Sequence, residues 1–293
     1  MQDICYVIDI GTNSARMMKA RVDGERISRE YKLTRTVRTG EGVHATHMLC
    51  EAAIERTVGA IREFAEIIKS EGGSEPYCFA TSAVRDSKNA AEFVERVKNE
   101  TGICVEILSG DEEARCGYAG AVGGGDGGIV DIGGGSTEVI FGKNGEIFYA
   151  TSYDIGCVRA LEWFKEDEED CRSFARKLLR QVPYDRAEGM PFYAVGGTAT
   201  SLAAVDQQLK EYDPNKVDGY VLTRRRVEEL RRQMWAMSVE ERRKVPGLTP
   251  TRAEIIQYGL SILSAFFEVS GRRQVTVRES DNLEGYLQRR MRR

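Results

Sequence analysis

The chain has 293 residues, of which 41% are hydrophobic and 30% charged, and its formal net charge is −4. This composition excludes a disordered or fibrous protein, and the length is sufficient for two domains with substantial cores. The seven cysteines are widely spaced and form no CxxC motif, so they indicate neither a disulfide framework nor a zinc knuckle.

The first predicted element is a hairpin near the N-terminus. Residues 6–18 read YVIDIGTNSARMM, which is an apolar run, a turn that begins with Asp9, Ile10 and Gly11, and a second apolar run. This pattern predicts a strand, a tight turn and another strand. The N-terminus lacks a basic signal region, and no apolar stretch approaches the roughly 18 residues needed to span a bilayer. We therefore expect a cytoplasmic protein with no membrane partner.

Residues 26–121 predict alternating strands and helices. Hydrophobic periodicity indicates strands at 26–38, 77–80 and 104–108, and helices at 50–70, 88–100 and from Ser109 onward. We expect Ser109 to cap the last of these helices, whose first turn carries acids at 111, 112 and 113. Acids at a helix start commonly complement the helix dipole, and their position alone indicates no more than that.

A glycine-rich segment, GGGDGG at 123–128, separates this helix from the next strand. Glycine at this density predicts a hinge between domains or, equally, a flexible loop. We place the domain boundary here, with an N-terminal domain at 1–122 and a C-terminal domain at 123–293. We leave open that the last helix packs back on the first domain.

The segment 129–140, IVDIGGGSTEVI, predicts a second hairpin with a distinctive turn. The glycines at 133–135 allow main-chain N–H groups to approach a ligand closely, and Ser136 and Thr137 add hydroxyl donors. Such a turn suits a phosphate. Asp131 and Glu138 flank it with carboxylates that a purely anion-binding turn would not need, so a divalent cation is implied.

The two hairpins share the sequence Asp-Ile-Gly in one register, because Asp9 and Asp131 are 122 residues apart. A single glycine turn is usually only a hairpin connection. Two copies, one in each half of the chain, predict a pair of phosphate-binding turns.

The remainder of the chain continues the alternation of strands and helices. We expect a strand at 146–153, helical segments to about 181, a helix from Thr223 to about 237, a helix to about 269 and a strand at 274–277. Residues 192–205 predict a buried strand followed by a helix that begins at Gly196, Gly197 and Thr198. A helix N-terminus favours anions, but turns of this type are also common for structural reasons. The order of elements predicts an α/β protein with mixed sheets in two similar halves.

Charge is unevenly distributed along the chain. From Val221 onward there are 16 basic and 9 acidic residues, and before it there are 26 basic and 37 acidic residues. The C-terminal quarter is therefore either a surface that faces a polyanion or a set of solvated helix faces.

Six motifs follow one another along the chain, namely DIGTNSAR (9–16), ATSAVRDSKN (80–89), SGDEEA (109–114), DIGGGSTE (131–138), VGGTATSLA (195–203) and PGLTPTRAEII (246–256). Together they resemble the exopolyphosphatase and guanosine pentaphosphate phosphohydrolase (Ppx/GppA) family. Longer members of the family also carry a C-terminal HD-type helical domain, for which this sequence offers no His-Asp pair. We therefore expect a short two-domain form, for which action on shorter chains is possible.

The resemblance implies two ribonuclease-H-like domains of the actin, Hsp70 and sugar-kinase superfamily, with the active site in a cleft between them. It implies Mg²⁺ as cofactor, with Mn²⁺ as an alternative, and Glu113 as the catalytic base. The residues assigned to the metal are Asp131, Glu138 and Asp9. The residues assigned to phosphate are Asn13, Ser14, Arg85, Gly133, Gly134, Gly135, Ser136, Gly197 and Thr198.

The leading hypothesis is Mg²⁺-dependent hydrolysis of a terminal phosphoanhydride, either in inorganic polyphosphate or at the 5′ γ-phosphate of pppGpp. One alternative is a non-catalytic sensor that binds polyphosphate or guanosine penta- or tetraphosphate. A less favoured alternative is a kinase of the same superfamily, because a kinase must exclude water whereas SGDEEA offers a base for it. We expect no nucleic-acid partner, and a homodimer is possible.

Overall fold

The computed structural model describes residues 3–24 and 26–291. In the first part of the chain, strands and helices alternate as the hydrophobic periodicity predicts. They are β1 (Asp3–Ile10), β2 (Ser14–Asp23), β3 (Arg26–Thr36), α1 (Val43–Thr46), α2 (Glu51–Ser70), β4 (Tyr77–Ala80), α3 (Ser82–Arg85), α4 (Ala90–Thr101), β5 (Glu106–Ile107) and α5 (Gly110–Ala121).

The second part of the chain repeats this alternation. It contains β6 (Gly127–Ile132), β7 (Thr137–Lys143), β8 (Glu146–Tyr153), α6 (Cys157–Phe164), α7 (Glu168–Leu179), β9 (Phe192–Val195), α8 (Gly196–Asp206), α9 (Pro214–Val217), β10 (Val221–Thr223), α10 (Arg224–Ala236), α11 (Val239–Arg242), α12 (Ile256–Ser270), β11 (Gln274–Val277) and α13 (Asn282–Met291). Two short 3-10 helices lie at Tyr184–Ala187 and Pro250–Arg252. None of the helices in the described residues is long and apolar enough to cross a membrane.

The chain divides into two compact units. The first contains the chain up to Cys116 together with the segment from Asn282 onward, and the second is Gly117–Asp281. The division therefore falls inside α5, six residues before the boundary that the sequence suggested, and α13 belongs to the first unit. The glycine run at 123–128 lies within the second unit, where Gly127 and Gly128 begin β6. The run that suggested a hinge is therefore not located where the two units divide.

The sheet of the first unit has the strand order β3-β2-β1-β4-β5. The three N-terminal strands are antiparallel, and β4 and β5 run parallel to β1. Successive side chains of β1 point to opposite faces. Tyr6, Ile8 and Ile10 pack in a core with residues of α2 and α4, whereas Val7 packs with residues of α13 such as Leu283. Both faces of this central strand are covered, which explains its nearly continuous apolar sequence.

The sheet of the second unit repeats this arrangement. Its order is β10-β11-β9-β6-β7-β8, so that β8, β7, β6, β9 and β11 correspond to the five strands of the first sheet, and β10 is added at the edge. The first hairpin closes with a hydrogen bond from Gly11 N to Ser14 O at 3.0 Å, and the second with one from Gly133 N to Ser136 O at 3.0 Å. Both units are thus ribonuclease-H-like, and the 122-residue register of the two hairpins is present in the fold.

Candidate active site

The glycine turn of the second unit is held by its carbonyl groups. Gly133 O accepts a hydrogen bond from Cys157 N at 2.9 Å, and Gly134 O accepts from the next two N–H groups of α6 at 2.8 and 3.1 Å. Arg159 Nε donates to Gly135 O at 2.7 Å. The main-chain N–H groups of Gly134 and Gly135, in contrast, donate to no main-chain carbonyl of the described residues. The turn can therefore offer these N–H groups to an anion.

The turn is also closely packed. Gly156 lies against it so tightly that a Cβ at this position would come within 2.5 Å of the Gly134 carbonyl. The hydroxyl of Thr137 donates to Ile155 O at 2.5 Å, which ties the start of β7 to the same segment. The turn is thus fixed in place before any ligand binds, which lowers the entropic cost of binding.

The N-terminus of α8 lies beside this turn. It has no side-chain cap, so its first N–H groups are not satisfied by a capping side chain. Asp131 Oδ1 lies 2.4 Å from the position that a Cβ on Gly196 would take, and a Cβ on Gly197 would meet the Arg252 guanidinium. This end of the helix therefore has both a carboxylate and a guanidinium close to it. Sequence analysis missed Arg252, although it lies within the motif PGLTPTRAEII.

The hydroxyl of Thr198, which the sequence suggested as a phosphate ligand, forms a hydrogen bond within the fold. The side chain is buried, and its hydroxyl donates to Ile132 O at 2.8 Å. It also lies 3.1 Å from Cys157 Sγ. The predicted phosphate contact of Thr198 therefore rests on its main-chain N–H alone. Burial raises the pKa of the Cys157 thiol, which keeps this thiol neutral and unsuited to act as a nucleophile.

Asp131 and Glu138 are directly opposite each other in the β6–β7 ladder. Glu138 is buried, and its Oε1 accepts a hydrogen bond from Ser152 Oγ at 2.6 Å. Two carboxylates at facing positions of a ladder repel each other, and a cation between them would relieve this repulsion. Within residues 3–24 and 26–291, no three metal-ligating side chains come together. Two carboxylates are nevertheless sufficient for Mg²⁺, which typically completes its coordination with water and substrate phosphates.

The equivalent pair in the first unit is Asp9 and Arg16, which are opposite in the β1–β2 ladder. Arg16 Nε donates to Asp9 Oδ2 at 3.0 Å, and the same oxygen accepts from Arg16 Nη2. Arginine thus occupies the position that corresponds to Glu138. Asp9 forms this ion pair, and its assignment to the metal stays a prediction.

The first hairpin turn is held in the same way as the second. Asn13 O accepts hydrogen bonds from Val37 N at 3.0 Å and Arg38 N at 2.9 Å, so the carbonyl side is again used by the fold. Asn13 Nδ2 donates to Ser14 Oγ at 3.2 Å. Thr12 Oγ1 lies 2.8 Å from Ser82 Oγ, which connects the turn to α3, the short helix that ends at Arg85. The phosphate contacts of Asn13 and Ser14 stay predictions.

Two adjacent glutamates at the start of α5 have different partners. Ser109 N donates to Glu112 Oε2 at 3.0 Å, and Glu112 N donates to Ser109 Oγ at 3.3 Å, which together form a capping box. Glu113 is buried, and its Oε2 accepts from Arg85 Nη1 at 2.8 Å. Glu112 thus caps the helix, whereas Glu113 faces the arginine predicted to bind phosphate.

The repeated sheet order and the two hairpin turns place the chain among α/β proteins built from two ribonuclease-H-like units. Within that class, the chain belongs to the Ppx/GppA phosphatase family, whose family model matches residues 20–293. Five of the six motifs that carry the resemblance lie within the matched residues, and DIGTNSAR (9–16) precedes them.

The relatives include enzymes of differing length. The chain is 32% identical to exopolyphosphatase 2 of Mycobacterium tuberculosis, over 95% of each chain. It is also 32% identical to a bifunctional 3-dehydroquinate synthase/phosphatase of Fusobacterium nucleatum, where the match covers 96% of this chain but 45% of the relative. The crystal structure of the Aquifex aeolicus member of the family superposes with a TM-score of 0.80 at 30% identity, covering 99% of this chain and 98% of that one.

Proposed function

We propose that the protein is a Mg²⁺-dependent hydrolase that releases orthophosphate from the end of inorganic polyphosphate, and that the 5′ γ-phosphate of pppGpp is a second substrate. Support comes from membership of a phosphatase family and from a relative, named an exopolyphosphatase, that matches over 95% of each chain. The cytoplasmic location and the homodimer stay predictions.

The observation that carries the proposal is the contact between Glu113 and Arg85. Phosphoryl transfer to water needs a group that accepts the proton of the water and positive charge on the phosphate oxygens. Arg85 Nη1 lies 2.8 Å from Glu113 Oε2, so these two chemical roles are adjacent in one unit. Since Glu112 forms the capping box, helix capping does not account for Glu113.

In the proposed reaction, Arg85 and the main-chain N–H groups of the hairpin turns bind phosphate groups of the substrate. Preformed donors of this kind stabilise the charge that develops in the transition state. Glu113 accepts a proton from the attacking water. Asp131 and Glu138 would hold Mg²⁺, which when bound neutralises negative charge on the phosphate oxygens.

The experiment is a parallel assay of orthophosphate release from tripolyphosphate, long-chain polyphosphate and pppGpp, each with Mg²⁺ and with excess EDTA. We expect release from at least one of these substrates with Mg²⁺ and none with EDTA. Full turnover in EDTA would contradict the metal requirement. Tight binding of these compounds without release would instead identify a sensor.

A further inference from the structure

Arg38 has an unusual main-chain conformation for its residue type. It follows β3 by two residues, and its φ is 50°, in the left-handed region. A side chain with a Cβ is disfavoured there, and glycine would adopt this conformation without that cost. The conformation is held by the residues that surround Arg38.

The conformation of Arg38 is coupled to the first hairpin turn. The N–H groups of Val37 and Arg38 both donate to Asn13 O, at 3.0 and 2.9 Å. Gly40 N donates to Thr12 O at 2.9 Å, and a Cβ on Gly40 would meet Thr12 Cγ2 at 2.3 Å. The segment 37–40 therefore packs along the first hairpin turn and is hydrogen-bonded to it. Arg38 lies directly beside Asn13.

The same segment is fixed from its other side by α2. Arg56 Nε donates to Val37 O at 2.9 Å, and the hydroxyls of Thr39 and Thr57 lie 3.0 Å apart. Val37 and Thr39 are buried, whereas Arg38 between them is only half-buried. The segment is thus anchored at the residues on either side of Arg38, and the arginine side chain is not part of the core.

We propose that Arg38 is a phosphate-binding residue of the first hairpin turn and contacts the phosphate chain that Asn13 is predicted to hold. This inference rests on the proposed function, because it assigns a further residue to the same substrate. Strained residues persist at binding sites when the surrounding structure fixes them, and a guanidinium binds two phosphate oxygens at once. Glycine would relieve the strain but would provide no charge.

The test is the variant Arg38→Gly, made in a Glu113→Gln background so that bound substrate is not hydrolysed. The affinity for tripolyphosphate in the presence of Mg²⁺ is measured by calorimetry, and Tm is measured for each variant. We expect at least a tenfold loss of affinity with an unchanged or higher Tm. Unchanged affinity, or a lower Tm, would overturn the proposal because the arginine would then serve only the fold.

Gln208 provides a matched control. Its φ is 53° and it is exposed in the second unit, so Gln208→Gly makes the same main-chain change away from the hairpin turns. We expect its affinity for tripolyphosphate to equal that of the parent, and an equal loss in both variants would overturn the proposal.

A second variant is Arg38→Asn. Asparagine tolerates the left-handed region but carries no charge, so this variant should lose affinity as the glycine variant does. If the wild type binds tripolyphosphate but releases no orthophosphate, the proposed function fails while the assignment of Arg38 stands, whereas a parent that does not bind overturns the assignment.

Discussion

At the level of single residues, Glu112 and Glu113 show how neighbours in sequence acquire separate roles. Glu112 completes the capping box with Ser109, whereas Glu113 is 8% exposed and contacts Arg85. Successive residues of a helix point about 100° apart, which separates the two carboxylates. The adjacent acids in SGDEEA can be assigned only when their partners are known.

Glu113→Gln is expected to lower kcat by about 10² to 10⁴-fold, the usual contribution of a general base. The amide keeps the size of the side chain but cannot accept the proton. The control is Glu112→Gln, which should retain kcat because glutamine also completes a capping box. The measurement is steady-state orthophosphate release. If the control lost activity and Glu113→Gln kept it, the roles of the two residues would be reversed.

Asp131→Ala is expected to suppress activity without unfolding the protein, because the glycine turn beside it is held by main-chain hydrogen bonds. Raising the Mg²⁺ concentration should restore part of kcat, since Glu138 still offers a carboxylate. Activity as a function of Mg²⁺, together with Tm, provides the measurement. If Asp131→Ala kept the wild-type activity at low Mg²⁺, Asp131 would not be a ligand of the metal.

Several residues of the site could not be predicted from the sequence. Arg252 lies close to Gly197 although it belongs to the 3-10 helix Pro250–Arg252, far along the chain. Ser152 contacts Glu138 across the β7–β8 ladder, so both contacts depend on tertiary structure. The pairing of Asp9 with Arg16 was in principle readable from the hairpin register. A motif identifies which residue types occur together, but the partners of each side chain are determined by the fold.

At the level of elements, close contact between the start of α6 and the glycine turn determines the geometry of that turn in the second unit. Gly156→Ala should destabilise the protein by about 1–3 kcal/mol, the usual cost of overpacking, and should reduce activity because the added Cβ displaces Gly134. Gly59→Ala in α2 is the control, since a Cβ added there would meet no other part of the described chain within 4 Å. It should stabilise the protein by about 0.5–1 kcal/mol and leave kcat unchanged. Thermal unfolding and kcat of both variants test this, and equal stability of the two would contradict it.

Three strands and the end of α2 contribute to a cluster around Glu71. Its carboxylate accepts hydrogen bonds from Tyr6 and Tyr31, at 2.6 and 2.8 Å, and Lys19 Nζ lies 2.8 Å away. The contact with Lys19, followed by those with Tyr6 and Tyr31, lowers the pKa of Glu71 to about 2. Because this pKa is lower than in the unfolded chain, where it is about 4.3, the contribution to stability is present above pH 4.3 and is lost as the pH falls toward 2.

Glu71→Gln is therefore expected to lower Tm at pH 7, with a difference from the wild type that shrinks as the pH falls from about 4.3 toward 2. Near pH 2 the Glu71 carboxylate of the wild type becomes protonated, so the wild type then lacks the same negative charge as the variant. Thermal unfolding of both proteins across this range is the measurement. A difference independent of pH would show that the cluster acts through packing rather than through charge.

Most strands and helices could be predicted because their hydrophobic periodicity is strong. The predicted helix at 50–70 is α2, and the predicted strand at 274–277 is β11. Three-residue β10 is too short for alternation to be recognised, and it forms because β11 pairs with it. The boundary between the units was also not predictable, because α5 is a continuous helix across it.

At the level of the whole molecule, the charge of the C-terminal quarter is largely engaged within the fold. Several of its arginines form ion pairs, namely Arg226, Arg231, Arg243, Arg278 and Arg290. Arg242 and Arg272 donate to main-chain carbonyls, and the exposed Arg225 pairs with Glu229. Among the described residues, the other exposed basic ones are Arg224, Arg232, Lys244 and Arg273. The count of charges in the sequence therefore overstates the cationic surface that a polyanion would meet.

In the proposed reaction, water activated by Glu113 attacks the terminal phosphorus of the substrate. This step is tested most directly by incubating the protein with Mg²⁺ and tripolyphosphate in ¹⁸O-labelled water and analysing the released orthophosphate by mass spectrometry. We expect one ¹⁸O atom in the orthophosphate that the wild type releases in the first hydrolysis of tripolyphosphate, and release slowed by about 10² to 10⁴-fold in Glu113→Gln. Orthophosphate without ¹⁸O, or equal release by the two proteins, would contradict it.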